Sequence, residues 1–205
     1  MGKFIVVEGL DGCGKSTQIQ LISEKIKELG KLVYITAEPT NFETGVYLRR
    51  ILSDSLEKDM YLQAALFLAD RLEHITHPDF GVKKYLEEGY TVICDRYYFS
   101  TFAYQGTACD MDWVMDINLK CKHILKPDLC LFLDVDPDVC KKRIDDVRDK
   151  AELYEKDVEN MRKIRNNFMT VFDKLSSTHN IAIIDANNSV EHIFNDILSH
   201  IESVL

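Results

Sequence analysis

A chain of 205 residues with 46% hydrophobic and 29% charged side chains has the size and balance of one globular domain with a full core. Its formal net charge of −9 argues against a sequence-independent nucleic-acid binder, which would draw most of its affinity from Lys and Arg on phosphates. No apolar run approaches the roughly 18 residues of a membrane span, and the N-terminus leads straight into a strand with no room for a signal peptide, so a cytoplasmic protein is expected. The six cysteines, Cys13, Cys94, Cys109, Cys121, Cys130 and Cys140, form no C-x-x-C pair and no zinc-ligand spacing, so no structural metal site is expected.

The first strand is the apolar run Phe4-Ile5-Val6-Val7, ending at Glu8. Behind it Gly9-Leu10-Asp11-Gly12-Cys13-Gly14-Lys15-Ser16-Thr17 matches G-x-x-x-x-G-K-[ST] in full, in the strand-to-helix setting that makes the pattern a phosphate loop. Its glycines let backbone N–H groups wrap a nucleotide phosphate, and a helix starting near Lys15 adds its positive end. Lys15 then reaches the β- and γ-phosphates, and the Ser16 hydroxyl binds Mg²⁺. Cys13, at a helix N-terminus among oriented N–H groups, is expected to react faster than the buried cysteines, with ATP·Mg²⁺ protecting it.

Ile19, Ile22, Ile26 and Leu29 continue at helical spacing until Gly30 stops the helix. Further strands are read at Leu32-Val33-Tyr34-Ile35, Thr91-Val92-Ile93-Cys94, Leu129-Cys130-Leu131-Phe132-Leu133 and Ile181-Ala182-Ile183-Ile184, with helical patterns in every gap. Apolar strands alternating with helices predict a five-stranded parallel sheet covered on both faces, in a single α/β domain spanning residues 1–205. Ligands of such sheets bind beyond the carboxyl ends of the strands. There the sequence sets Glu8, Glu38-Pro39, Asp95-Arg96, Asp134 and Asp136.

Phe67 and Arg71 fall one turn apart in a helical stretch from Met60 to Ile75, a ring and a guanidinium fork that suit a nucleobase, or else a core phenylalanine beside a surface arginine. After Asp95, Arg96 can grip an acceptor phosphate bidentately, and Tyr97, Ser100, Thr101 and Tyr104 form a polar and aromatic helix face. Asp95 itself touches Mg²⁺ through water or braces the phosphate loop. The charged segment from Asp145 to Glu155 interrupts two helices and reads as a lid over about residues 143–155 or as an exposed connection; the nearby γ-phosphate favours the lid.

Taken together, Val7 through Gln18, Glu38-Pro39, Phe67 through Arg71, Asp95-Arg96-Tyr97 with Ser100-Thr101 and Tyr104-Gln105-Gly106, and Lys126-Pro127-Asp128-Leu129 leading into Leu133-Asp134-Val135 resemble the thymidylate kinases, from about residue 3 to residue 187. The resemblance implies a P-loop kinase fold, phosphoryl transfer from ATP·Mg²⁺ to dTMP, and a homodimer. By it Asp11 would meet the deoxyribose 3′-hydroxyl, Arg96 the dTMP phosphate, Phe67 the face of thymine and Arg71 its O4. Thr101 would lie near the base and Tyr104 where a 2′-hydroxyl would sit, with Glu38, Ser100 and Gln105 in the same acceptor site. Adenine would be held by Arg143 and the segment from Asp185 to Asn187.

Ala37 stands where many bacterial relatives carry an arginine, and the lid end reads Glu152-Leu153-Tyr154-Glu155 in place of Asp-Arg-aromatic-Glu. Gly12 in the loop points to a catalytic arginine in the lid. Of Arg143, Arg148 and Lys150, Arg148 is the expected one, acting with Lys15 and Arg96. Two other activities compete: a deoxynucleoside kinase with Glu38 as general base, and a nucleotide-dependent switch ATPase.

Overall fold

The computed structural model describes residues 2–53, 59–146 and 157–205. In chain order the elements are β1 (Phe4–Gly9), α1 (Lys15–Glu28), β2 (Val33–Ala37), α2 (Glu43–Ser53), α3 (Met60–Thr76), α4 (Val82–Glu87), β3 (Thr91–Asp95), α5 (Tyr98–Gln105), α6 (Met111–Leu119), β4 (Leu129–Asp134), α7 (Pro137–Asp145), α8 (Val158–Leu175), β5 (Ile181–Asp185) and α9 (Val190–Glu202). The strands form one parallel sheet in the order β2-β3-β1-β4-β5, as the alternation of apolar runs and helices predicts.

Helices cover both faces of the sheet. α1 and α9 pack together on one, and α5 with α8, α3 and α6 on the other. β1 sits at the centre with every residue buried, which is why it contains no polar side chain until Glu8. The aromatic core below α5 and α8 joins Phe132 of β4 to Phe168 and Phe172 at ring separations of 4.8 and 4.9 Å, and Phe168 also meets Tyr104 at 6.2 Å.

Expectation and structure part at the sheet edges. Uniform burial holds for β1, β3 and β4 but not for the two outermost strands, where Leu32 before β2 is 54% exposed and Ile183 in β5 is 51% exposed. An edge strand is covered on fewer sides, and an apolar run does not reveal this. The register aligns Val7, Ala37 and Asp95 in one row across β1, β2 and β3, so the segments that follow these strands open at the same edge of the sheet.

Candidate active site

Gly9, Gly12 and Gly14 of the loop all take positive φ, at 145°, 78° and 100°. At position 12 no other residue fits, because a Cβ there would lie 2.7 Å from the Cys140 carbonyl oxygen of α7. The close approach of α7 that excludes a side chain brings Arg143 in its place, with Nη1 donating to the Gly12 carbonyl at 3.3 Å. α1 begins at Lys15 with no side-chain cap, so its first N–H groups face the loop and are free for an anion. The Lys15 ammonium is folded onto the loop, donating to the carbonyls of Leu10 at 3.1 Å and Gly9 at 3.3 Å.

Ser16 and Thr17 open into a cavity of about 540 Å³ that Lys15, Asp95, Arg96, Arg49 and Arg143 also line. Oδ1 of Asp95 is buried there with no hydrogen-bond partner among the described residues. A hydroxyl and an unpartnered carboxylate oxygen in one cavity are the hard donors that suit Mg²⁺.

Cys13 corrects an expectation. Only 2% exposed, it packs against the core, and burial pushes its thiol up despite the nearby Lys15 and Arg96 charges. The loop presents its backbone to the anion and this side chain to the sheet, so the thiol is neither ionised nor accessible.

Arg96 follows β3 with φ 67°, a strained conformation for a residue with a Cβ. Its guanidinium is held on three sides: Nη1 donates to the Gly9 carbonyl at 3.1 Å and to Ser100 Oγ at 2.9 Å, and Nη2 to Asp11 Oδ1 at 2.6 Å. Tyr104 stacks beside it at 5.1 Å and donates its hydroxyl to Asp11 Oδ2 at 3.2 Å. Burial raises the Asp11 pKa, but the charges of Arg96 and Lys15 outweigh it and hold the carboxyl at about 2.

Beneath Arg96 lies Glu8, whose side chain is fully buried. Its Oε1 accepts the backbone N–H groups of Tyr97 at 2.8 Å and Ser100 at 3.2 Å, and Ser100 Oγ donates to Oε2. These are the N-cap and third residues of α5, a helix without a cap of its own. The last side chain of the central strand therefore caps the helix that presents the acceptor face.

The second arginine is buried more deeply. Arg71 is 0% exposed and donates from Nε and Nη2 to Glu38 Oε2 at 2.9 and 2.7 Å, from Nη2 to Thr101 Oγ1 at 2.9 Å, and from Nη1 to Asn118 Oδ1. The ring of Tyr97 lies 5.0 Å below it. The other Glu38 oxygen meets His74 Nδ1 at 3.0 Å, and His74 Nε2 meets Thr36 Oγ1 at 2.7 Å. Arg71 is therefore no surface arginine; together with half-buried Phe67, Thr101, Tyr104 and Gln105 it lines a cavity that reaches Asp11 and Arg96. Glu38 is not placed as a base, since both its oxygens are committed to Arg71 and His74.

Asn187 ties the turn after β4 to the turn after β5, accepting the Asp136 N–H at 3.1 Å and donating to Asp185 Oδ1 at 2.8 Å. Arg148, Lys150 and the lid end Glu152 to Glu155 lie outside the described residues. Conversely, sequence reasoning gave no role to Asn118, His74 or Arg49. His74, one turn after Arg71 and on the same helix face, was the one with a readable signal.

The profile of the thymidylate kinase family matches residues 7–197. A protein of Thermococcus onnurineus described as a probable thymidylate kinase is 36% identical, with 98% of each chain covered. One of Staphylothermus marinus with the same description is 36% identical over 96% of this chain and 92% of the relative. A thymidylate kinase of Caldicellulosiruptor saccharolyticus is 34% identical over 100% of this chain and 98% of its own.

The buried carboxyl of Glu8 generates a pH prediction. Burial is the largest cause pushing it from 4.5 up to about 7, against the opposing pull of the Ser100 hydroxyl, the Arg96 charge and the two backbone N–H groups. The folded chain then binds this proton more tightly than the unfolded one, so the group contributes stability at low pH that is lost as pH rises, by roughly 3 kcal/mol between about pH 4.5 and 7. Glu8→Gln keeps an acceptor for the two N–H groups and does not titrate. Urea unfolding should show its stability gaining on the wild type from about pH 5 to pH 8; a difference that stays constant with pH contradicts the assignment.

Proposed function

The chain belongs to the thymidylate kinase family, and from that premise we propose that it transfers the γ-phosphoryl group of ATP to the phosphate of dTMP, yielding ADP and dTDP. The observation that carries this reading is the junction of two cavities, one built on the phosphate loop and one on Phe67 and Arg71, which share Asp11, Glu38, Pro39 and Arg96. A nucleotide phosphate in each would meet at Arg96.

In this reading the loop N–H groups and Lys15 hold the ATP phosphates, and Arg143 and Asn187 flank adenine. Ser16 and Asp95 would hold Mg²⁺, which neutralises the β- and γ-phosphate charge when bound. Arg96 orients the dTMP phosphate so that one of its oxygens attacks the γ-phosphorus in line, while the bond to the β,γ-bridging oxygen breaks and its electrons leave with ADP. Phe67 stacks on thymine, Arg71 donates to O4, Thr101 and Gln105 close the base pocket, and Tyr104 with Asp11 borders the deoxyribose. Arg148 supplies the arginine of the transition state. The committed oxygens of Glu38 speak against the deoxynucleoside kinase reading, and a switch ATPase has no use for a second, base-sized cavity.

The active form we propose is a homodimer. Val46 and Tyr47 of α2, Tyr61 and Leu62 of α3 and Trp113 of α6 expose large apolar side chains that a second copy would cover. All six cysteines are free, as suits a reducing compartment, and we place the enzyme in the cytoplasm. No described helix is long and apolar enough to cross a membrane.

ADP release should be fast with dTMP and near background with thymidine, because Arg96 would then have no phosphate to orient. With dUMP, which lacks one methyl group, kcat/KM should fall about 10- to 200-fold. CMP, with an amino group facing Arg71, should be inert. Equal turnover of thymidine and dTMP contradicts the reading.

An arginine that stabilises the transferring phosphoryl group is worth large factors in rate. Arg148→Ala should therefore lower kcat at least about tenfold to hundredfold and leave the dTMP dissociation constant unchanged. Kinetics close to wild type would assign the role to Arg143 or Lys150.

A further inference from the structure

We infer that Asn118 is a positioning residue for base selection. By fixing the Arg71 fork it leaves a single N–H for the base and so sets the preference for a 4-keto over a 4-amino pyrimidine. The inference rests on the reading of this cavity as the thymine site.

Asn118 sits near the end of α6 with 0% exposure, although asparagine is a poor helix former and a fully buried amide must be satisfied to be tolerated there. Both of its ends are used. Nδ2 donates to the Val114 carbonyl one turn earlier at 2.9 Å, and Oδ1 accepts from Arg71 Nη1. The Val114 bond fixes the direction of the amide, because turning it over would face its NH₂ to the guanidinium, donor against donor.

Arg71 has five N–H groups in a rigid plane. Nε and one hydrogen of Nη2 go to Glu38, the other hydrogen of Nη2 goes to Thr101, and one hydrogen of Nη1 goes to Asn118. Among the described residues one Nη1 N–H has no partner, and Tyr97 below the plane holds the fork in place. Each of the four bonds takes a donor of the fork, so the fifth presents a fixed donor to whatever occupies the cavity. A 4-keto oxygen accepts from it; a 4-amino group opposes it. Without the Asn118 oxygen both Nη1 hydrogens are uncommitted, and the donor is no longer aimed.

The test compares Asn118→Leu with Asn118→Asp, measuring kcat/KM for dTMP, dUMP and dCMP. Both variants lose the Nδ2 bond to Val114, but only Asn118→Leu loses the acceptor for Arg71. We expect Asn118→Leu to lower the dUMP-to-dCMP ratio at least about tenfold, mainly through KM for dUMP, while the dTMP-to-dUMP ratio, which reads the methyl pocket, stays put. Asn118→Asp should keep both ratios within about threefold of wild type. An unchanged dUMP-to-dCMP ratio in Asn118→Leu, or an equal fall in both variants, overturns the inference. If Asn118→Leu does not fold, Asn118→Ala decides by the same ratios. A wild-type enzyme inert toward dTMP and dUMP alike would instead overturn the reading of the site on which the inference rests.

Discussion

Two guanidinium groups are taken out of water at the carboxyl edge of this sheet, and the surrounding structure is arranged to make that tolerable. Arg71 is fully buried, and Arg96 is partly buried, with 17% of its side chain exposed. An unpaired charge in such a place would be prohibitively unstable, so each is met by a carboxylate: Glu38 at 2.7 Å for Arg71 and Asp11 at 2.6 Å for Arg96. Paired charges of this kind add little net stability compared with a packed apolar core. What they provide is two donors in fixed positions, one suited to a base and one to a phosphate.

The two halves of the chemistry meet in the backbone of β1. Glu8 caps α5 from below and thereby sets the direction of the helix that presents Ser100, Thr101 and Tyr104. One residue later the Gly9 carbonyl accepts from both Lys15 and Arg96. The cation for the donor nucleotide and the cation for the acceptor phosphate thus rest on the same oxygen. A shift of a few tenths of an ångström in this strand end would move both, which explains why a fully buried carboxyl occupies it rather than another Val or Ile.

Much of this was legible in the sequence, for reasons that differ by residue. The phosphate loop was readable because its function depends on backbone conformation, and glycine spacing encodes backbone conformation directly. Phe67 and Arg71 could be placed on one helix face from their spacing alone. That Arg71 turns inward could not be read, because its partners Glu38 and Asn118 stand 33 and 47 residues away and are brought to it only by the tertiary fold. The burial of Cys13 is hidden from the sequence for a related reason. The pattern places the residue in the loop but does not say which side of the loop faces the sheet. Asn118 left no trace in any periodicity, since one polar residue at a helix end is common.

The buried Glu38–Arg71 charge pair is retained for recognition and not for stability. This is tested most directly by the unfolding free energies of Glu38→Leu, Arg71→Met and the double variant. Glu38→Leu alone leaves a buried guanidinium without its counter-charge and should cost about 3–5 kcal/mol. The double variant should recover at least half of that loss, because the uncompensated charge is gone. A double variant as unstable as the sum of the two single ones would contradict the account and make the pair a stabilising element of the fold.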